Sequence, residues 1–510
     1  MYIILHIENN INGDKKMDLD KNKNTNVNLY DNFDKNFFLI DDKLKDCPDI
    51  IRRKVILHSG QKGCFFFVQG LCDVDLFQRD FLSIIINLEK LNSDELKYLP
   101  NKIPVGGLTF PLIIDSLIMD ILAGNAVFIC QGLNCGISCT LKKYEKRNIS
   151  EPEGEKSIRG DHDGFIEDLA TNISTLRRKI KSPDLKFKNF TIGTISHQTV
   201  SIAYLENLAN PKLLQTLCDK LSKLDSDGFT GIGYLEQIIS NHPNSIFPQF
   251  LATERPDKAI AGLYEGRFIV MLQETSFILI VPVTIYSFTQ APDDYTVQWI
   301  GASYLRLLRL TAILVTLFLP GIYIAIISFH YYMIPLPLLV PLAESRSRVP
   351  IPPIIEAFLI EFIIEMIREA SIRLPSFITG SISIVGGLVI GQAAVQAGVV
   401  SDLMIIVIAT CAIAGYTIPT YDMGISIRIV KYIVMITSAI FGIVGVIIPM
   451  VSMLAHLIVL DSLGEPYFQP FAPLKFRDLK DTYIRAPFKY LKKRPDIAKP
   501  LDKERGKNNG

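Results

Sequence analysis

LTAILVTLFLPGIYIAIISF, residues Leu310 to Phe329, carries no charged side chain. A helix of that length covers the roughly 30 Å of a bilayer's hydrocarbon core at about 1.5 Å per residue. Working outward toward the C-terminus, three more uncharged runs follow: Phe377 to Ser401, Leu403 to Tyr421, and Tyr432 to Leu460, the last interrupted only by His456. This pattern predicts an all-α polytopic membrane domain over residues 299–463, with about four transmembrane helices plus an amphipathic helix. Working outward in the other direction, residues 1–300 scatter their charges densely and contain no run of spanning length. That half is read as water-soluble, so the two halves answer to different solvents.

The soluble half is expected to be mixed α+β or α/β. Residues 1–45, rich in Asn, Lys and Asp, cannot bury enough apolar surface to order themselves and are read as a disordered leader. Residues 46–148 alternate apolar runs such as CFFFVQGL with helical patterns, which predicts a first α/β subdomain. Residues 149–298 form a second. There FIEDLATNISTLRRKI has helical spacing, FKNFTIGTISHQTVSIAYLENL reads as a strand pair feeding a helix, and Arg267–Val283 reads as two strands around the polar turn Gln273 to Ser276.

Of 510 residues, 53 are Lys or Arg and 52 are Asp or Glu, a net charge of +1, so no sequence-wide basic surface invites nucleic acid. The basic tail, residues 464–510, together with Arg306 and Arg309, argues for a cytoplasmic C-terminus. The amino end lacks a basic region followed by an apolar stretch of signal length, so the N-terminus is expected to be cytoplasmic too, with an even number of crossings. No phosphate loop, zinc helix or nucleophile elbow occurs. The eight cysteines form no C-x-x-C pair and the seven histidines are widely separated, so neither a catalytic site nor a metal or cofactor is expected, and the chain is read as no enzyme.

The membrane half holds the candidate site. In PIIEAFLIEFIIEMIREASIRLP, Glu361, Glu365, Arg368 and Glu369 fall within roughly 100° of one helical face. A carboxylate at a bilayer centre costs about 2.5 kcal/mol or more, so this helix should line water or lie at the interface. Glu361, Glu365 and Glu369 are the candidate charged vestibule; the rival reading is an amphipathic interfacial helix. In SISIVGGLVIGQAAVQAGVVSD, Gly387 and Gly391 form a G-x-x-x-G step that lets helices approach closely. Ser381, Val385, Leu388, Gln392 and Gln396 trace one stripe. Plain helix packing is one reading of it; the sharper one is a pore lining, with Val385 and Leu388 gating by dewetting.

Several blocks carry a family resemblance: IRGDHDGFIEDLATNISTLRRKIKSPDL from Ile158, TERPD from Thr253, EGR from Glu265, LIVPVTIYSFTQAPDDY from Leu279, SIVGGLVIGQAAVQAGVVS, YTIPTY and PYFQPFAPLKFRDLKDTYIRAP. From about residue 48 to residue 487 the chain resembles the A subunits of bacterial spore germinant receptors, the GerA family. The resemblance implies an integral protein of the spore inner membrane with two cytoplasmic α/β subdomains. It further implies a transporter-like B subunit that holds the nutrient, a lipoprotein C subunit, and a pentameric ring of A subunits acting as a ligand-gated ion channel. Arg159, Glu254 and Arg255 lie in its soluble motifs and are expected to make subunit or subdomain contacts. The chain departs from the family's pattern at His162, at Gln273–Ser276 and at FVQGL, residues 67–71. Two rivals stand beside the channel reading. One is a transporter-like subunit that itself binds an amino acid germinant between broken helices; the other is a membrane-anchored enzyme whose turnover would reside in residues 46–298.

Overall fold

The computed structural model describes residues 27–92, 94–104, 107–143, 155, 159–374 and 391–506. The chain forms two compact units. The first runs to Lys142 without residues 45–50 and 68–71, which belong to the second, and the second continues from Lys143.

The first unit is a five-stranded sheet with helices. Strands β1 (Ile50–Ile56), β2 (Lys62–Val68), β3 (Leu108–Thr109), β4 (Ala126–Cys130) and β5 (Ile137–Cys139) are ordered β1-β2-β4-β5-β3. The β2/β4, β4/β5 and β3/β5 pairs are antiparallel. Its centre is aromatic: Phe65 lies 4.3 Å from Phe128, centroid to centroid, and meets Phe77 and Phe81 edge-on. Gly63 is required by this packing, since a Cβ there would come within 2.4 Å of the Phe128 ring. Helix α1 (Phe33–Lys43) occupies chain that composition assigns to the leader. Phe33, Asn36, Phe37 and Ile40 recur at helical spacing and turn inward, Asn32 caps its start, and this local pattern outweighs the polar average of the segment. All eight cysteines of the chain are free and buried, and burial pushes the thiols of Cys64 and Cys72 up to about 12.

The second unit contains the other sheet: β6 (Leu185–Ile192), β7 (Gln198–Leu205), β8 (Leu251–Thr253), β9 (Phe268–Leu272) and β10 (Ile278–Val281), ordered β6-β7-β9-β10-β8 and antiparallel at every pair. Alternation sorts the side chains. Phe268, Val270 and Leu272 join the core beneath α4 (Pro211–Ser222) and α5 (Ile232–Ile239), whereas Ile269 and Met271 join the core beneath α3 (Leu169–Lys179) and α6 (Pro256–Tyr264). (Helix α2 is Ile114–Leu122 of the first unit.) The strand pair and turn expected over Arg267–Val283 are thus β9 and β10. Arg177, fully buried, grips Asp49 through two hydrogen bonds of 2.9 and 3.1 Å and caps the carbonyls of Ser182 and Leu185. This pair ties residues 45–50 to the second unit, as does the Phe187 N–H, which donates to the Asp46 carbonyl at 3.1 Å.

The helical part begins with α7 (Trp299–Phe329) and continues through α8 (Leu336–Ser347), α9 (Pro353–Arg373), α10 (Gly391–Gln396), α11 (Asp402–Gly415), α12 (Tyr421–Phe441) and α13 (Ile443–Val459). Among the described residues two helices are long and apolar enough to cross a membrane, α7 and α12. The expectation of about four is therefore not met by single helices. The run 403–421 yields only the 14 residues of α11, about 21 Å of helix. The run 432–460 is divided at Gly442, whose φ of +61° turns the chain back so that α12 and α13 form a hairpin. Most of the run 377–401 lies outside the described residues.

The bundle and the second sheet share a core. Leu317, Met423, Ile427, Val430 and Leu457 are buried in the same cluster as Phe187 and Ile269. Polar ties run alongside: Asp294, fully buried, takes Arg306 at 3.1 Å and Arg309 at 2.7 Å, while Arg306 also reaches Asp481 at 2.8 Å. Both arginines, read from sequence only as orientation markers, fasten the base of α7 to Asp294, and Arg306 also binds it to the C-terminal tail.

Candidate functional site

Helix α9 is positioned by charge at both ends and in its middle. Near its start Glu356, fully buried, accepts from the Ser401 N–H at 2.6 Å and the Ser401 hydroxyl at 2.5 Å, and pairs with Arg346 at 3.1 Å. Near its end the Arg368 guanidinium lies 5.0 Å over the Tyr416 ring. Ser401 precedes α11 and Tyr416 follows it, so α9 and α11 run parallel over their length. Between these points Glu361 takes the Lys431 ammonium at 2.6 Å, and Glu365 takes Arg368 at 2.7 Å and Arg428 at 3.3 Å. Rising numbers on α9 meet falling numbers on α12, which makes those two antiparallel.

The far ends are tied as well. The Ile443 N–H donates to His330 Nε2 at 3.4 Å, joining the end of α7 to the α12–α13 turn. At the other end the Thr420 hydroxyl donates to the Phe288 carbonyl at 3.0 Å, fastening α12 to the sheet subdomain. Helices α7 and α12 therefore leave that subdomain, and α9, α11 and α13 return toward it. The charged helix traverses the depth of the bundle.

The predicted site residues separate on this frame. Glu361 is 2% exposed and locked to Lys431, itself 3% exposed; one of its oxygens, Oε1, has no hydrogen-bond partner among the described residues. Glu365 is shared between two arginines. Glu369 faces out and makes a one-turn pair with Arg373. Gln392 and Gln396 lie on α10, both exposed, and a Cβ on Gly391 would meet nothing within 4 Å among the described residues. Ser381, Val385, Leu388 and Gly387 lie outside the described residues. In the sheet subdomain of the second unit, Arg255 is buried, bidentate to Asp257 at 3.0 and 2.6 Å, and donates to the carbonyls of Glu155 and Asp161. The Glu254 carbonyl receives the Phe165 N–H at 2.7 Å. Arg159, exposed, donates its backbone N–H to Asp293 at 3.5 Å.

Sequence reasoning missed Glu356, Arg428 and Lys431. A signal was present: two cations three apart on one helix oppose two carboxylates four apart on another, both spacings that keep a pair on one face. A cavity of about 250 Å³ opens beside this network, with Arg368, Arg428 and Lys431 on its wall among Thr316, Tyr416 and Tyr421. Among the described residues no group of three or more His, Cys, Asp or Glu is placed to hold a metal ion.

Comparison with known proteins agrees over most of the chain. Residues 39–497 match the family model described as Bacillus/Clostridium GerA spore germination protein. Spore germination protein B1 of Bacillus subtilis (strain 168) is 37% identical over 446 residues, 87% of this chain and 92% of that protein. Spore germination protein A1 of the same organism is 35% identical over 455 residues, covering 89% and 94%; spore germination protein GerQA of Bacillus cereus is 35% identical over 458 residues, covering 89% and 91%. Among solved structures, the crystal structure of the N-terminal domain of the A subunit of the Bacillus megaterium spore germinant receptor GerK3 aligns with 51% of this chain and 97% of its own, at 24% identity and a TM-score of 0.38. With nine-tenths of its length matched by the family model and relatives covered nearly end to end, the chain belongs to the GerA family of spore germination proteins.

Proposed function

We propose that this chain is a germinant-receptor subunit that couples nutrient sensing to ion release across the spore inner membrane, with both termini cytoplasmic and no bond-making chemistry. Copies of it, five by the family resemblance, surround an axis lined by the stripe from Ser381 to Gln396. Transporter-like and lipoprotein partner subunits complete the receptor, the former holding the nutrient. The observation that carries this reading is the pair Gln392 and Gln396, two amides one turn apart and uncovered in the single chain within an otherwise apolar stretch. Amides in such a place call for water or for another copy. The open space at Gly391 leaves room for a copy to approach. Glu361, buried, and Glu365, half-buried between two arginines, serve here as the wall that holds α9 in place, with Glu369 left to face the ion path.

The test is thiol modification. In receptor-containing membranes, Gln392→Cys or Gln396→Cys should be reached from water by a charged methanethiosulfonate, and the modification should block nutrient-triggered cation flux; Ile440→Cys on the outer face of α12 should not block it. Modification of Gln396→Cys without any change in flux would remove the stripe from the ion path. The rival, a transporter-like subunit that binds an amino acid itself, draws on the 250 Å³ cavity, whose three cations suit a carboxylate. Saturable binding of a radiolabelled amino acid by the isolated chain, lost in Arg428→Met, would favour it.

A further inference from the structure

A second and larger cavity, about 570 Å³, lies away from the bundle network, where α6, the turns after β10 and the C-terminal tail come together. Its size is that of a site for a small organic molecule. The tail is held in place there by specific bonds. The Arg494 Nε–H donates to the Tyr264 carbonyl at 2.8 Å, the Leu501 N–H donates to the Leu208 carbonyl at 2.9 Å, and Asn210 donates to the Lys499 carbonyl at 3.4 Å.

Charge in the cavity is unbalanced. Four cations line it, Lys258, Arg267, Arg494 and Arg505, against two anions, Asp257 and Glu265. Asp257 is taken by Arg255 behind the wall, and Lys258 by Glu155 at 2.9 Å. Arg494 is satisfied by carbonyls and by Asp502 at 3.5 Å. That leaves Arg267 and Arg505 dividing the one carboxylate of Glu265, at 2.9 and 3.0 Å. The two guanidiniums hold more N–H donors than that carboxylate takes up, and both are under-satisfied: the buried Nε of each has no hydrogen-bond partner among the described residues. Tyr264 and Phe488, 49% and 60% exposed, stand at the cavity as aromatic surface.

From this arrangement we infer that the cavity is a binding site for a small organic carboxylate with an apolar body, its carboxylate held between Arg267 and Arg505 and its body against Tyr264 and Phe488. Two guanidiniums facing one carboxylate accept a second, because the paired charge and the fork geometry suit bidentate recognition. Arg505 comes from the tail and Arg267 from the loop before β9, so an occupant joins two stretches of chain that are distant in sequence. Arg267 also donates to Ser287 at 3.1 Å, in the turn whose Phe288 carbonyl fastens α12. The site goes beyond the channel reading and does not rest on it.

The probe is 4-fluorobenzoate, followed by fluorine NMR line broadening with the full-length chain in phosphatidylcholine nanodiscs, beside 4-fluorobenzyl alcohol as the neutral analogue. Saturable broadening of the benzoate and little of the alcohol is expected. Arg505→Met should weaken the benzoate by about tenfold, the loss of one charge-assisted pair, while Arg505→Lys should keep part of the affinity. Arg505 is on the surface tail, so these variants leave the cores intact; Phe488→Ala should weaken binding without altering the preference for the anion. No saturable broadening in the wild-type chain, equal broadening by the alcohol, or unchanged affinity in Arg505→Met would each overturn the assignment.

Discussion

Lys431 carries its ammonium 3% exposed into a helix that is otherwise apolar enough to span a membrane, and Glu361 is what makes that tolerable. Removing one partner of a buried pair strands the other, at a cost of about 3–5 kcal/mol, whereas replacing both by apolar groups of similar size is often neutral. Lys431→Met should therefore lower the melting temperature sharply, and Lys431→Met combined with Glu361→Leu should recover most of the loss. A thiol-reactive dye reports this directly because all eight cysteines are buried until the chain unfolds. A double variant no more stable than the single one would dissolve the pairing argument. Glu236 behaves oppositely to a paired carboxylate. Burial pushes its carboxyl up to about 8, the nearby Asp422 adds to the rise, and a hydrogen bond from the Phe250 backbone opposes it. The folded chain thus keeps a proton that the unfolded chain releases near 4.5, so stability is unaffected below that pH and falls as pH rises toward 8. Glu236→Gln should flatten this part of the decline; an unchanged pH dependence of melting would show that the group does not carry it. The clustering of Glu361, Glu365 and Glu369 on one face was legible in the sequence. The partner of Glu361 was not, because Lys431 is 70 positions away and only the antiparallel course of α9 and α12 brings them together.

At the scale of elements, the α12–α13 hairpin rests on two glycines with different duties. Gly442 supplies the left-handed turn, and Gly445 lets α13 lie against α12, where a Cβ would sit 2.0 Å from the Thr437 carbonyl oxygen. Gly445→Ala should cost about 3 kcal/mol by overpacking against backbone. Gly424→Ala, on the same pair of helices with nothing within 4 Å, should be neutral or stabilise by up to about 1 kcal/mol. Equal melting temperatures for the two variants would mean that the helices do not meet as described. Strands β9 and β10 could be read from two short apolar runs around a polar turn, since both signals are local. The hairpin could not: an uncharged run from Tyr432 to Leu460 looks like one span, and nothing local distinguishes a glycine that turns the chain from one that packs it. Helix α1 shows the converse, a short inward-facing pattern hidden within a polar composition.

At the scale of the whole molecule, the sheet of the second unit and the helical bundle form one hydrophobic core, and the Asp294, Arg306, Arg309 and Asp481 cluster ties the tail to the base of α7. The change from mixed α/β chain to long apolar helices was legible because it depends on composition over hundreds of residues. The family was legible because its blocks occur in order along nearly the full length. The proposed ring is not of that kind, since an axis between copies is a property of no single chain. What the sequence left to be worked out, the course of α9 through the bundle, follows from four contacts distributed along it: Glu356 with Ser401, Glu361 with Lys431, Glu365 with Arg428, and Arg368 over the Tyr416 ring. The central claim, that copies of this chain enclose an ion path, is tested most directly by single-channel conductance and trapped-cation release with the purified protein in liposomes, alone and with its partner subunits. The account predicts discrete conductance that requires this chain and rises with nutrient when the partners are present. Liposomes that retain their cations under both conditions, with the chain correctly inserted and assembled, would contradict it.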